Sequence, residues 1–286
     1  MKGERRRLSS EHSAERWKTR TLMERPSLRA RHPRVLSFTG VMLSLPVLAA
    51  PTYPWRAQPV DAASTLSARL PPPKDFHRAP ADAGSFAEWL RGLPLKPDGA
   101  PVLLYTGEPK ARQDVHVAVV DVDVGNRDLQ QCADAVMRLR AEWQFSSGRA
   151  RDVAFNDTAG KRLRFAASPT QDSAAFRKFM ANVFAFAGTA SLERELKPVE
   201  PSTVAAGDVF IKGGFPGHAV LVADVVMNAE GHRRFLLLQS YMPAQEVHVL
   251  KNPKSEEGSP WYGTDFGPQL VTPEWSFART ALRRWP

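Results

Sequence analysis

The chain holds one cysteine, Cys132, and its side chain is the first candidate for chemistry. A lone thiol cannot close an intramolecular disulfide, so it is either a small buried side chain or a retained nucleophile. A thiol hydrolase needs a sulfur that is partly thiolate, an imidazole beside it, a polar group to orient that imidazole and donors for an oxyanion. The segment around Cys132, RDLQQCADAVMRLR, reads as a helix with Asp128 as N-cap and Gln131 three residues on, the capping-box spacing. Leu129, Cys132, Ala133, Val136, Leu139 and Trp143 recur at helical spacing. Cys132 is then in the first turn, where the positive helix end and unpaired N–H groups favour a thiolate. Gln130 or Gln131 could supply an oxyanion donor.

The base candidate is His218, which follows Gly213, Gly214 and Gly217 and opens an apolar run to Met227. That run predicts a long strand, and the small glycines are read as leaving room for a substrate backbone, with Gly214, Gly217 and Tyr241 as substrate contacts. Phe235 to Tyr241 predicts the next strand. Gln239, after Leu236, Leu237 and Leu238, is placed to hydrogen-bond the far nitrogen of His218.

The positioning elements are read from pattern. Ser85 caps a short helix through Leu90, with Pro94 beyond it. Val102 to Tyr105, Val115 to Val124, Asp208 to Lys212 and Glu246 to Leu250 predict strands. Phe176 to Phe186 predicts a helix closed by Gly188. The tail predicts a strand edge and then a helix opening near Thr272 and Pro273. A helix preceding a run of antiparallel strands makes the fold class α+β.

Gly207-Asp208-Val209-Phe210-Ile211, then Gly217-His218-Ala219-Val220-Leu221-Val222, then a strand ending in Gln239, resembles the NlpC/P60 and related papain-like cysteine peptidases, in the order Cys, His, polar residue. The resemblance implies a papain-like domain in which the helix carrying Cys132 packs on an antiparallel sheet. It implies hydrolysis of peptide or amide bonds, typically in peptidoglycan stem peptides. The whole chain also resembles an uncharacterised bacterial family of unknown function, through Arg127 to Arg140, Gly207 to Val222, Gln239 to Gln245 and Pro273 to Phe277. In the NlpC/P60 family the nucleophile usually stands in an Asp-Cys-Ser context, and here it is Gln131-Cys132-Ala133. That departure keeps open a non-catalytic cell-envelope module on the same scaffold, binding a glycan or peptide through Trp261, Tyr262 and Tyr241.

Arg25, Arg29, Arg31 and Arg34 precede an apolar run from Val35 to Leu48, followed by Ala49 and Ala50. This is signal-peptide layout, shorter than the ~20 residues of a spanning helix. We expect residues 1–49 to be a basic leader, with translation starting at Met23, and no stable membrane span after cleavage. Residues 50–75 are expected to be a Pro/Ala-rich linker, and 76–286 a single domain in the periplasm or outside the cell. The net charge of +9 lies mostly in the leader, whose first 34 residues hold 11 Lys and Arg against 4 Glu. A nucleic-acid partner is therefore not expected, since it would need that charge on the folded surface. No cofactor motif is present. Asp121, Asp123 and Asp128 are spaced as calcium ligands can be, yet the EF-hand pattern is not met and no paired cysteines or H-E-x-x-H occur, so no metal is expected.

Overall fold

A computed structural model of the protein describes residues 51–165 and 172–286. The expected leader lies outside the described residues.

In chain order the helices are α1 (Leu66–Arg69), α2 (Phe86–Arg91), α3 (Cys132–Ser146), α4 (Ser173–Phe186) and α5 (Thr189–Glu195). The strands are β1 (His77–Arg78), β2 (His116–Val119), β3 (Ala154–Asn156), β4 (Arg162–Arg164), β5 (Lys197–Pro198), β6 (Val209–Lys212) and β7 (His218–Met227). They continue with β8 (Arg233–Gln239), β9 (His248–Leu250), β10 (Tyr262–Gly263), β11 (Gln269–Val271), β12 (Ser276–Ala278) and β13 (Leu282–Arg284). The main antiparallel sheet runs β2-β9-β8-β7-β6-β13-β5, with β1 added to β7 and β10 to β8. The fold is α+β.

The reason for this architecture is legible in β7. Nine of its ten residues are buried, and a strand buried on both faces needs a layer on each side. Ala219, Leu221 and Ala223 face a core shared with α2, α3 and α4. Val220, Val222 and Val225 face a second core closed by Phe277, Leu270, Ala281 and Leu282 from the C-terminal strands. By the period of two, His218 falls on the face of Val220, toward the C-terminal layer. A bulge between Val222 and Asp224 shifts the register against β8.

Buried charges pin the layers. Asp224, fully buried, accepts from Arg78 Nε at 2.8 Å and Arg91 Nε at 2.7 Å, joining β7 to β1 and α2. Asp208, before β6, takes Arg284 bidentately at 2.7 and 2.8 Å and also accepts from the Ala205 N–H. The Asp of the Gly-Asp-hydrophobic motif thus fastens β13 to the sheet. On α3, the Arg140 guanidinium lies 4.5 Å from the Trp143 ring centroid, 5.1 Å from Phe86 and 5.3 Å from Trp285.

Four expectations are corrected. Residues 51–75 are not a solvated linker. Tyr53 is buried against Trp55 and Trp89, its hydroxyl donates to Trp89 O at 2.8 Å, and Leu66 is fully buried. The packed body therefore begins well before Phe76, because this Pro-rich stretch carries aromatic side chains that find a core. α3 starts at Cys132 rather than just after Asp128, whose Oδ1 is committed to Gln131 Nε2 at 3.0 Å and Ala244 N at 2.7 Å. No helix opens near Thr272. Its hydroxyl bonds both the N–H and the carbonyl of Trp275, closing a tight β11–β12 hairpin. Val102 to Tyr105 makes only isolated bridges, through Leu103 and Leu104.

Two substitutions test this packing. Asp224→Ala strands two arginines around a buried gap, and denaturant unfolding should read a loss of about 3–5 kcal/mol. Tyr53→Ala should cost about 2–4 kcal/mol by the same measurement, whereas a solvated tether would register no change.

Candidate functional site

The α3 N-terminus is held in place by the loops around it. Asp134 Oδ2 accepts from the Gln131 N–H at 3.0 Å, half of a capping box, and Ser240 Oγ donates to Gln130 O at 3.2 Å and Gln245 O at 2.8 Å. These bonds tie the start of α3 to the turn after β8. Cys132 is the first helical residue and is partly buried. Burial pushes its thiol up to about 11, and the nearby Asp134 carboxylate adds to this. The backbone N–H groups of Ala219, Ala133 and Cys132 itself pull in the opposite direction. The expected helix-start thiolate is therefore not the resting state, because loss of hydration outweighs the N–H groups. The Ala219 N–H at the sulfur also places Cys132 against the start of β7, one residue from His218.

His218 is buried, with its ring 4.7 Å from Tyr241, 5.3 Å from Trp275 and 5.8 Å from Phe277 between centroids. Its Nε2 bonds Gln239 Oε1 at 2.9 Å. Burial lowers the imidazole to about 4, and the Gln239 bond and the Glu274 charge only partly oppose that shift. Gln239 Nε2 donates to Glu274 Oε2 at 2.8 Å and lies 3.4 Å from His248 Nε2. Glu274 is in turn gripped by Lys110 Nζ at 2.7 and 2.9 Å. His248 Nδ1 donates to Glu246 O at 2.9 Å.

Cys132 and His218 line one cleft of about 440 Å³, within the range of small-ligand pockets. The thiol and the imidazole make no direct hydrogen bond. Gln131, Gly214, Gly217 and Tyr241 share the lining. Phe215, 95% exposed, and Met242, 56% exposed, stand at its mouth, and no Lys or Arg is among its lining residues.

Other sequence expectations fall elsewhere. Gln130 lines a different cavity, where its Oε1 accepts from Arg138 Nη1 at 2.6 Å, so only Gln131 of the two amides reaches the cleft. Even there, Gln131 Nε2 is engaged by Asp128. The smallness of Gly217 serves the chain itself: a Cβ there would lie 2.4 Å from Gly214 O and Thr189 Oγ1. Gly214, at φ +106, faces open space and fits the substrate-contact reading better. Trp261 and Tyr262 are buried, bonded to Pro71 O and Lys251 O, and do not face the cleft. Asp121 and Asp123 pair with Arg56 and Arg138, and the described residues hold no cluster of three metal-binding side chains.

The sequence reading missed Lys110, Trp275, His248 and Glu274. Only the hairpin turn brings Glu274 behind Gln239, and no local spacing announces that.

No curated protein and no solved structure matches the chain. Among the described residues no helix is long and apolar enough to cross a membrane. The profile of the family described as Domain of unknown function (4846) matches residues 66–284, spanning α1 through β13, and the chain belongs to that family.

Proposed function

We propose that this protein is a cysteine hydrolase, a peptidase or amidase on a papain-like scaffold, with Cys132 as nucleophile and His218 as base. The observation that carries the reading is that the lone thiol and an imidazole whose far nitrogen is held by Gln239 line the same open cleft. In the reaction His218 takes the thiol proton as the sulfur attacks a carbonyl carbon. The tetrahedral oxyanion is met by N–H groups at the start of α3, which have no partner within the helix. His218 then protonates the leaving amine, and water, activated by the same imidazole, hydrolyses the thioester. The basic leader of the sequence supports delivery to the periplasm or beyond, where peptide bonds of peptidoglycan are the nearest substrates. The apolar cleft mouth, with Phe215 and Met242 exposed, favours an apolar segment beside the scissile bond.

A non-catalytic binding module on the same scaffold is the second reading, favoured by the high pKa of the resting thiol. The two part on one measurement. With cell-wall fragments or peptide amides as substrate, Cys132→Ser should lower hydrolysis at least a thousandfold without moving Tm. Binding that persists with no hydrolysis by the native chain would establish the module instead.

The pH dependence follows from the two shifts. A base lowered to about 4 is neutral and competent above that value, and it loses activity as pH falls through it. A thiol raised to about 11 is protonated at neutral pH. kcat/KM should therefore keep its acid limb near pH 4 rather than near 6.5. Alkylation of Cys132 by iodoacetamide should be slow at pH 7 and climb steadily toward pH 11. Fast, pH-independent alkylation from pH 5 upward would show a preformed thiolate–imidazolium pair and overturn this account of the resting site.

A further inference from the structure

We infer that Glu274, clamped by Lys110, is a positioning residue that sets the tautomer of His218 by dictating which way the Gln239 amide faces. The inference deepens the hydrolase reading above and rests on it for its catalytic consequence, though not for its structural content.

The argument is an accounting of donors and acceptors. A carboxylate salt-bridged to an ammonium can only accept, so the Gln239 atom 2.8 Å from Glu274 Oε2 must be the amide nitrogen. The amide oxygen then faces His218, and an oxygen can only accept, so His218 Nε2 must carry the hydrogen of that 2.9 Å bond. The lone pair is left on Nδ1, which makes no hydrogen bond to the described residues and is the nitrogen available to the cleft. His248 agrees independently. Its Nδ1 donates to the Glu246 carbonyl, so its Nε2 is an acceptor and can face only the amide nitrogen of Gln239, at 3.4 Å.

Without Glu274 only the 3.4 Å contact with His248 Nε2, longer than the 2.8 Å bond to Glu274, opposes a turn of the amide, whose two ends are nearly the same size. The reversed amide would offer N–H to His218 Nε2, which must then give up its proton. The hydrogen would move to Nδ1, and the imidazole would present a donor to the cleft where catalysis needs an acceptor. Lys110 and Glu274 are mostly buried, so this constraint is shielded from competing water. Lys110 also lies 5.3 Å over the Tyr241 ring, which fixes the ammonium on the cleft side of the hairpin.

The test uses the full folded chain, labelled with 15N at histidine, and the variant Glu274→Gln. In the native chain, long-range 1H–15N spectra should show His218 as the Nε2–H form alone. In Glu274→Gln a mixture with the Nδ1–H form should appear, with kcat lowered at least tenfold and KM unchanged. Because this variant leaves the Lys110 ammonium without its carboxylate, the Lys110→Met/Glu274→Gln double variant is measured beside it and should give the same tautomer mixture. A native chain with no hydrolytic activity would sink the hydrolase reading yet leave the tautomer readout standing. His218 remaining wholly in the Nε2–H form in both variants would overturn the role of Glu274.

Discussion

The structure depends on β7 being buried on both faces. Ten consecutive residues with a single partly exposed member, Met227, cannot be satisfied by one packing layer. Helices must cover one side and further chain the other. That requirement assigns α3 to one layer and the β11–β12 hairpin to the opposite one, so the strand is flanked by the nucleophile candidate and by the groups that hold His218. The cleft opens at the start of β7, beside His218 and the Gly214–Gly217 turn that leads into it.

Polar groups inside this frame are handled in two ways. Two carboxylates that fasten the frame are fully paired. Asp224 holds two arginines and a backbone N–H, and Asp208 holds a bidentate arginine and the Ala205 N–H. Where polar groups line the cleft, pairing is incomplete and burial dominates. The Cys132 thiol is pushed up, the His218 imidazole is pushed down, and burial raises the Asp134 carboxyl to about 8, with its Oδ1 left without a partner. The result is a thiol and an imidazole that both rest uncharged beside a strongly ionic scaffold.

The parts of this arrangement that sequence could announce are those with local periodicity. β7 runs over the residues its apolar pattern marks, and the Ser85 cap and the start of α2 fall where capping chemistry puts them. Cys132, His218 and Gln239 stand out by position within such elements, and the structure brings all three to one end of the sheet. What stayed hidden was set by tertiary contact. Asp128 reads as a cap because Asp at that spacing usually is one, but the Ala244 N–H competes for its oxygen and the helix begins later. Thr272 and Pro273 imitate a helix start, while the following Trp275 and Phe277 are claimed by the core opposite α3. Tyr53 belongs to the core although its neighbours have the composition of a tether. Gln130 and Gln131 are equivalent in sequence and are separated only by which side of the loop each faces.

The order of these parts along the chain has a consequence for biosynthesis. The thiol leaves the ribosome with the first half of the polypeptide, while the hairpin bearing Glu274 and the strand that Asp208 captures come at the far end. For all the intervening translation β7 has only one of its two layers, and Val220, Val222 and Val225 remain uncovered. The nascent chain thus carries a sulfur without its organised imidazole and an unprotected sticky face. Both conditions end only when the β11–β12 hairpin and Leu282–Arg284 have joined the fold.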